Sequence, residues 1–351
     1  MYQQSFRCDV MKTDHNCIAT KNIQNAIRQA GADLKVAHPI LRHQNAIGLI
    51  IGLIAFIGMI ASGLGYIYGF IPAWLCILCS AFFAAISHEL EHDLIHRLYF
   101  RKQPLIQNMM MAIVWIMRPN TINPWFRRQL HFNHHKVSGT QNDVEERILG
   151  NGMTFGIKRI VASLDGFLSI TIRIKELSSM KGYQYLSFAF KGAPLTHIYV
   201  VSLYGYLTFL TFDLFNLNTL LGFEYTSWFL DVLNWVEVML VVWIIPNALR
   251  AFCLHNMTAA LHYYGDVDSL LKQCQIMNHW SLLPLQLFCC NFGATHAIHH
   301  FVVSQPFYLR QMVAKKVYPV LQENGVRFND FESVLRANRF AKKPEALTPQ
   351  A

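Results

Sequence analysis

Long apolar runs alternate with polar stretches along the chain, and this pattern predicts membrane-spanning helices. Residues 1–45 are polar and mixed, and the following run, residues 46–71, carries no charged side chain. At 1.5 Å per residue, a helix over this run is about 39 Å long, which exceeds a hydrocarbon core of about 30 Å. The run is therefore predicted to cross a membrane with some tilt.

Three further apolar segments extend this pattern to two hairpins. Pro72 separates the first run from an apolar stretch at 73–87, which continues without a helix breaker into a charged segment. Residues 198–217 and 229–252 form the later pair. The pattern predicts an all-α integral membrane bundle of about four transmembrane helices in two hairpins, with the polar segments forming a cytoplasmic helical cap.

Composition and charge agree with a membrane protein and orient it. The chain is 53% hydrophobic and 15% charged, whereas soluble domains are about 25% charged. All 30 Lys and Arg residues lie in 1–45, in 97–197 or after residue 249, so the two presumed outer turns carry none. By the positive-inside rule, both termini are expected in the cytoplasm, with a bacterial inner membrane favoured and the endoplasmic reticulum expected for a eukaryotic source.

The same pattern divides the chain into three parts. Residues 1–45 are expected to form a cytoplasmic N-terminal segment, 46–310 the membrane domain, and 311–351 a cytoplasmic tail. The net charge of +9 favours contact with negatively charged membrane lipid, because no nucleic-acid-binding motif accompanies it. Nucleic acid is therefore not an expected partner.

Histidine is the residue that indicates chemistry, because four short windows hold 11 of the 16 histidines. The windows read HELEHDLIH from His88, HFNHHK from His131, HNMTAALH from His255 and HAIHHF from His296. Spacings of three, four and seven place these rings on one face of a helix. Neutral imidazole binds Fe, Zn, Cu and Ni, and eight or more ligands exceed the need of one ion. The windows therefore predict a site for two metal ions near the cytoplasmic helix ends.

These windows resemble the histidine boxes of the membrane fatty acid desaturase and hydroxylase superfamily, whose members are di-iron enzymes. HDLIH resembles the first box, HFNHHKVSGTQND the second and HAIHHFVVSQPF the last, within residues 46–310. The resemblance implies two iron ions as cofactor, O2 as co-substrate and no catalytic side chain beyond the metal ligands. The ligands it implies, residue by residue, are His92, His96, His131, His134, His135, His262, His296, His299 and His300.

Two departures from the family pattern leave ligand positions open. HELEH also fits an HExxH form of the first box, so that His88 and His92 are an alternative pair. In the third window Thr258 stands where acyl-CoA desaturases have Asn, which leaves His255 or Asn256 as substitutes. Ligand rings need an acceptor for their second nitrogen. Six carboxylates lie close to the boxes, and some of them are predicted for this role, with Asp93, Asp143 and Glu145 foremost; the others are Glu89, Glu91 and Glu146.

The resemblance implies oxidation of a fatty acyl chain, supplied as a fatty acid, a fatty acyl thioester or a lipid. The second box favours desaturation, and decarboxylation to a terminal alkene and hydroxylation are alternatives that use the same metals. The sequence has no dinucleotide-binding motif, no room for a fused haem domain and no CxxC pair outside the apolar runs. Electrons are therefore expected from an external ferredoxin, rubredoxin or cytochrome with its reductase, and a basic cytoplasmic face suits an acidic carrier.

Two other functions, and the roles of three arginines and one glutamate, also remain open at this point. HELEH also fits a membrane zinc metalloprotease with Glu89 as general base, although the other clustered histidines would then be unexplained. A histidine-lined metal transporter would need ligands at bilayer depth. The arginines before the second box fit either a substrate head group or interfacial lipid; they are Arg118, Arg127 and Arg128. Glu237, in an apolar run, is expected in the bundle interior or near an interface.

Overall fold

The computed structural model describes residues 14–180, 183–184 and 186–342, and its regular elements are helices. Within these ranges only isolated bridge pairs occur in place of strands. The all-α prediction is therefore confirmed. The α-helices are α1 (Asp14–Ala37), α2 (Gln44–Ile67), α3 (Ala73–Ile95), α4 (Pro104–Ile116), α5 (Pro124–Val137), α6 (Val144–Ile148), α7 (Ile157–Leu164), α8 (Gly166–Ile172), α9 (Ile174–Ser178), α10 (Thr196–Leu214), α11 (Leu217–Leu220), α12 (Ser227–Met239), α13 (Ile245–Leu261), α14 (Leu283–Phe288), α15 (Phe292–Phe301) and α16 (Phe307–Glu323).

Three helices in the described ranges are long and apolar enough to cross a membrane. They are α2, α3 and the continuous 35-residue helix Ser227–Leu261, in which the π-helical turn Leu240–Ile244 joins α12 to α13. The fourth segment expected from the sequence forms α10, a 19-residue helix that lies outside this set. The helical bundle therefore has three candidate spanning helices, and α10 packs beside the third.

Helices α2 and α3 form a close hairpin because small residues of α2 face aromatic rings. A Cβ atom at Gly58 would lie 2.3 Å from the ring of Phe83, and one at Gly48 would lie 2.4 Å from the ring of Tyr99. The hairpin turn passes through Gly69, whose φ of +74° suits glycine. The opposite face of α2 exposes large aliphatic side chains. Such a face is suited to lipid.

The shorter helices pack over the ends of α3 and α13. One core cluster joins α1, α13, α15 and α16, and its fully buried members include Ile27, Leu261, Ile298 and Leu321. Helix α16 crosses the domain boundary predicted at residue 310 and packs against α1 and α15. The described part of the predicted tail is thus continuous with the core, and this core holds the histidine-bearing helices in place.

Glu237 does not lie in the interior of the bundle. Its side chain is exposed on α12 and accepts a hydrogen bond from the hydroxyl of Tyr206 on α10. The carboxylate therefore lies at the outer seam between these two helices.

Candidate metal centre

Four helices bring the histidine windows to one place. The last two turns of α3, residues 88–95, are entirely buried, and α15 is buried along its whole length. Asn123 caps the N-terminus of helix α5, and its side chain accepts hydrogen bonds from the backbone N–H groups of Trp125 and Phe126. Pro124 at the first helical position fits this start. The spacings of three and four within α3, α5 and α15 then direct their rings towards the end of α13, where His262 follows.

The rings form two groups that are each able to hold a metal ion. Within each group, one ligand atom from every member lies within 4.8 Å of the others. Nε2 of His135 lies 3.2 Å from Nε2 of His131 and 3.1 Å from Nε2 of His299, so His135 adjoins the first group. The nine histidines predicted as ligands are therefore together. Group A contains His92, His96, His131 and His299, and group B contains His134, His262, His296 and His300.

The orientation of the rings fits a bound cation. His134 Nδ1 faces Asp143 at 2.8 Å and His300 Nδ1 faces Gln273 Oε1 at 2.9 Å, so both Nδ1 atoms donate. In neutral rings the two Nε2 atoms then carry lone pairs, yet they face each other at 3.4 Å. Two ligands on one ion with bonds of about 2.1 Å lie about 3.0–3.4 Å apart, depending on geometry. The buried Nε2 atoms of His92 and His262 also lack a hydrogen-bond partner among the described residues.

Two of the three predicted carboxylates hold ligand rings directly. Asp143 accepts from His134 Nδ1, and Glu145 accepts from His131 Nδ1, each at 2.8 Å. Asp93 does not: His92 Nδ1 lies 3.9 Å from it. Its oxygens accept instead from the hydroxyl of Tyr99, the backbone N–H of Phe307 and the guanidinium of Arg310.

Further residues support the rings. Glu146, another carboxylate close to the second box, lies 3.1 Å from His262 Nδ1, and Gln273 accepts from His300. Arg310 lies 3.1 Å from His299 Nδ1 and pairs with Asp93 and Glu89. The sequence offered Glu146 for this role by its position. Gln273 and Arg310 have no pattern that points to the site, because only folding brings them there.

Burial and neighbouring charges set the protonation of the rings outside the membrane-spanning helices. Burial lowers the pKa of His96 and His299, which favours the neutral form that binds metal. Burial also lowers the pKa of His131, and its effect outweighs that of Glu145.

In group B, two pKa values are shifted in the opposite direction. Burial opposes a charge on His134, but the charge and hydrogen bond of Asp143 outweigh it and raise the pKa. The pKa of His262 is also raised, because Cys274 and Glu146 together outweigh burial.

Residues 68–332 match the family described as fatty acid desaturase, and this range covers most of the chain. The chain belongs to the fatty acid desaturase family. No curated protein and no solved structure matches it. Family membership agrees with the resemblance carried by the histidine boxes, and the apolar helices of this desaturase-family member fit a membrane protein.

The two doubtful histidines of this desaturase-family chain lie outside both groups. His88 Nδ1 lies 3.2 Å from Nη1 of Arg118. His255 Nδ1 is buried without a hydrogen-bond partner among the described residues. Thr258 approaches Glu146 at 3.2 Å and His262 Nδ1 at 3.3 Å. Thr258 therefore lies beside a ring of group B and the carboxylate that faces it.

The HExxH interpretation does not match this geometry. His92 is grouped with His96, His131 and His299 rather than with His88. Glu89, the general base that a protease would need, is buried and paired with Arg310 at 3.0 Å.

The arginines before the second box are engaged inside the desaturase-family chain. Arg118 is fully buried and pairs with Glu91. Arg127 bridges Glu91 and Glu145, at 3.0 Å from each. Arg128 donates to two backbone carbonyls at the end of α3. The contacts of Arg127 and Arg128 hold α3 against α5, and Arg118 joins the turn before α5 to α3. The buried guanidinium of Arg118 does not face a head group.

Proposed function

We propose that this chain is a membrane-bound, O2-dependent non-haem di-iron oxidoreductase that acts on a fatty acyl chain, with desaturation as the favoured reaction. The observation that supports it most directly is the pair of histidine groups whose lone pairs converge. Two groups of four suit two ions, and nitrogen ligation suits iron. Family membership adds the fatty acyl substrate class.

The nine predicted ligands are proposed to hold two iron ions, which would supply an oxidant able to remove hydrogen from an unactivated C–H bond. In this proposal the other residues orient the ligands. Asp143 and Glu145 accept the Nδ1 protons of His134 and His131, which leaves Nε2 free for metal. His262 Nδ1 faces both the backbone carbonyl oxygen of Thr258, at 3.0 Å, and Glu146, at 3.1 Å, and Gln273 accepts from His300.

The acyl chain is proposed to reach a small cavity between the two groups. The cavity has a volume of about 30 Å³. Its wall is mostly polar, and three apolar side chains, Leu149, Leu254 and Phe292, form one part of it beside rings of both groups. These three side chains would contact a methylene group. The cavity is too small for a whole acyl chain, so the chain must part these apolar side chains to reach it.

Electrons are proposed to enter from the side where the ligands are exposed. His96 and His135 are the partly exposed members of the nine, whereas the other seven are buried. The neighbouring residues Arg97 and Lys136 are exposed. A basic rim attracts an acidic ferredoxin, rubredoxin or cytochrome, and the partly exposed rings shorten the path to the metals. We place this rim and both termini on the cytoplasmic side, in keeping with the charge distribution.

Product analysis tests the reaction. Membranes that contain the full chain would be supplied with a fatty acid, an acyl thioester or a phospholipid, together with O2 and a reducing system. Mass spectrometry distinguishes a loss of two hydrogens, an added oxygen and a shortened terminal alkene. We expect the loss of two hydrogens. The other two products would support hydroxylation or decarboxylation instead.

Metal analysis of the same protein tests the centre. We expect two iron ions per chain. One zinc ion and no iron in the active protein would overturn the di-iron proposal in favour of the protease. Metal uptake into proteoliposomes, without oxidation of any lipid, would favour the transporter. Iron-loaded protein that forms no product with any donor would overturn the catalytic proposal.

A further inference from the structure

The two ring nitrogens of His88 have different surroundings, and this difference fixes the position of the ring proton. Nδ1 lies 3.2 Å from Nη1 of Arg118. A guanidinium is always protonated in proteins, so Arg118 donates and Nδ1 accepts. A neutral ring that accepts at Nδ1 carries its proton on Nε2. A doubly protonated ring would set one N–H against another, which this contact excludes.

Arg118 is itself held in one orientation. Its Nε donates to the carbonyl oxygen of Val114 at 2.9 Å, and its Nη2 donates to Glu91. Arg118 and Glu91 are both completely buried. Because the guanidinium is fixed by these contacts, the orientation of the His88 ring is fixed with it.

The Nε2–H group of His88 is buried and has no hydrogen-bond partner among the described residues. Buried polar groups nearly always have a partner. The ring lines the cavity between the two groups, and Arg118 does not. Since Nδ1 is occupied by Arg118, the unpartnered Nε2–H is the donor that the ring has free for a molecule in this cavity.

The cavity adjoins rings of both groups. His92 and His131 of group A line it, and so do His134 and His296 of group B. About 10–15 Å³ is enough for one water-sized molecule, so a cavity of about 30 Å³ has room for two atoms of that size. A diatomic molecule or a small anion fits this space, whereas a larger head group does not.

We propose that His88 donates a hydrogen bond from Nε2 to a small oxygen-type or anionic ligand in this cavity, and that His88 is not a metal ligand. The inference rests on the proposed function in one respect, since it requires both ions to be present. It assigns a role to the histidine that the sequence left between two alternative first boxes.

Azide binding tests this role without turnover. The probe is azide added to purified, iron-loaded full-length protein, followed by absorbance, with iron counted in the same samples. In His88→Leu we expect two ions per chain and an azide dissociation constant raised about tenfold, because a hydrogen bond to a charged acceptor is lost. In His88→Gln, whose longer amide extends towards the position of Nε2, we expect a change below about threefold.

Two further variants separate this role from a fault in folding. In His88→Asn the shorter side chain keeps an acceptor for Arg118 but does not reach the cavity. This variant should therefore also weaken azide binding about tenfold. His255→Gln changes a histidine outside both groups that does not line the cavity, and it should leave azide affinity unchanged.

Three outcomes would decide against the inference. Loss of one iron ion in His88→Leu and His88→Asn would make His88 a metal ligand. Unchanged azide affinity in both variants would remove the donor role. Wild-type protein that binds no iron would overturn the proposed function and this inference with it.

Discussion

Replacing Glu145 by glutamine should weaken the binding of one metal ion and leave the binding of the other unchanged. Both oxygens of this carboxylate accept hydrogen bonds: Oε2 from His131 Nδ1 at 2.8 Å, and Oε1 from Arg127 Nε at 3.0 Å. A glutamine side chain has one oxygen and one NH2 group. In Glu145→Gln, one of the two donors must therefore face another donor.

The size of the effect follows from the bonds that change. A hydrogen bond to a charged group contributes about 1.5–3 kcal/mol, which corresponds to about 10–100-fold in affinity. Loss of a carboxylate that holds a ligand ring reduces metal affinity by a similar factor, about 10–100-fold. His131 belongs to group A, whereas Asp143 and Glu146 hold rings of group B. The loss should therefore be confined to group A.

Chelator competition on the iron-loaded full-length protein measures this loss. In Glu145→Gln, one ion per chain should leave at a chelator concentration about 10–100-fold lower than in the wild type. Asp143→Asn is the matched variant for group B and should also release one ion early. The double variant should release both. Two ions that resist the chelator as in the wild type, or two ions that leave together in Glu145→Gln, would refute the reasoning.

Three other predictions follow from the same site. Because the pKa values of His134 and His262 are raised, protons compete with metal at group B up to a higher pH. Acidification from about pH 7.5 to about 5.5 should therefore release the ion of group B before the ion of group A. Release of both ions in a single step would contradict this prediction. His299→Ala removes a ring of group A and should abolish binding of the group A ion together with turnover, whereas His43→Ala at an exposed position should change neither, as metal analysis and product assays would show. Lys136→Glu should raise the KM for an acidic electron donor several-fold without changing the iron content, and an unchanged KM would place the donor elsewhere.

The spanning helices and the nine clustered histidines could be predicted because local patterns specify them. An apolar run long enough for the bilayer predicts a helix whatever its partners are. A spacing of three or four places rings on one face before any tertiary contact is known. Sequence proximity also identified Asp143 and Glu145, since α5 and α6 are joined by a short turn. Sequence proximity gave the wrong role for Asp93, because its oxygens accept hydrogen bonds from Tyr99, Phe307 and Arg310 and not from a histidine ring.

The parts that escaped prediction are those in which one charge is neutralised by a residue far along the chain. Arg118, Arg127 and Arg128 look like a surface patch in the sequence, yet Arg118 is fully buried because Glu91 on α3 lies opposite it. Leaving a guanidinium buried without such a partner would be costly, so the arginine and the carboxylate have to arrive together. No local pattern encodes the pairing of Arg118 with Glu91. That pairing in turn determines the orientation of the His88 ring. A site of this kind can be located from its ligands, whereas the protonation of each ring must be obtained from the folded contacts around it.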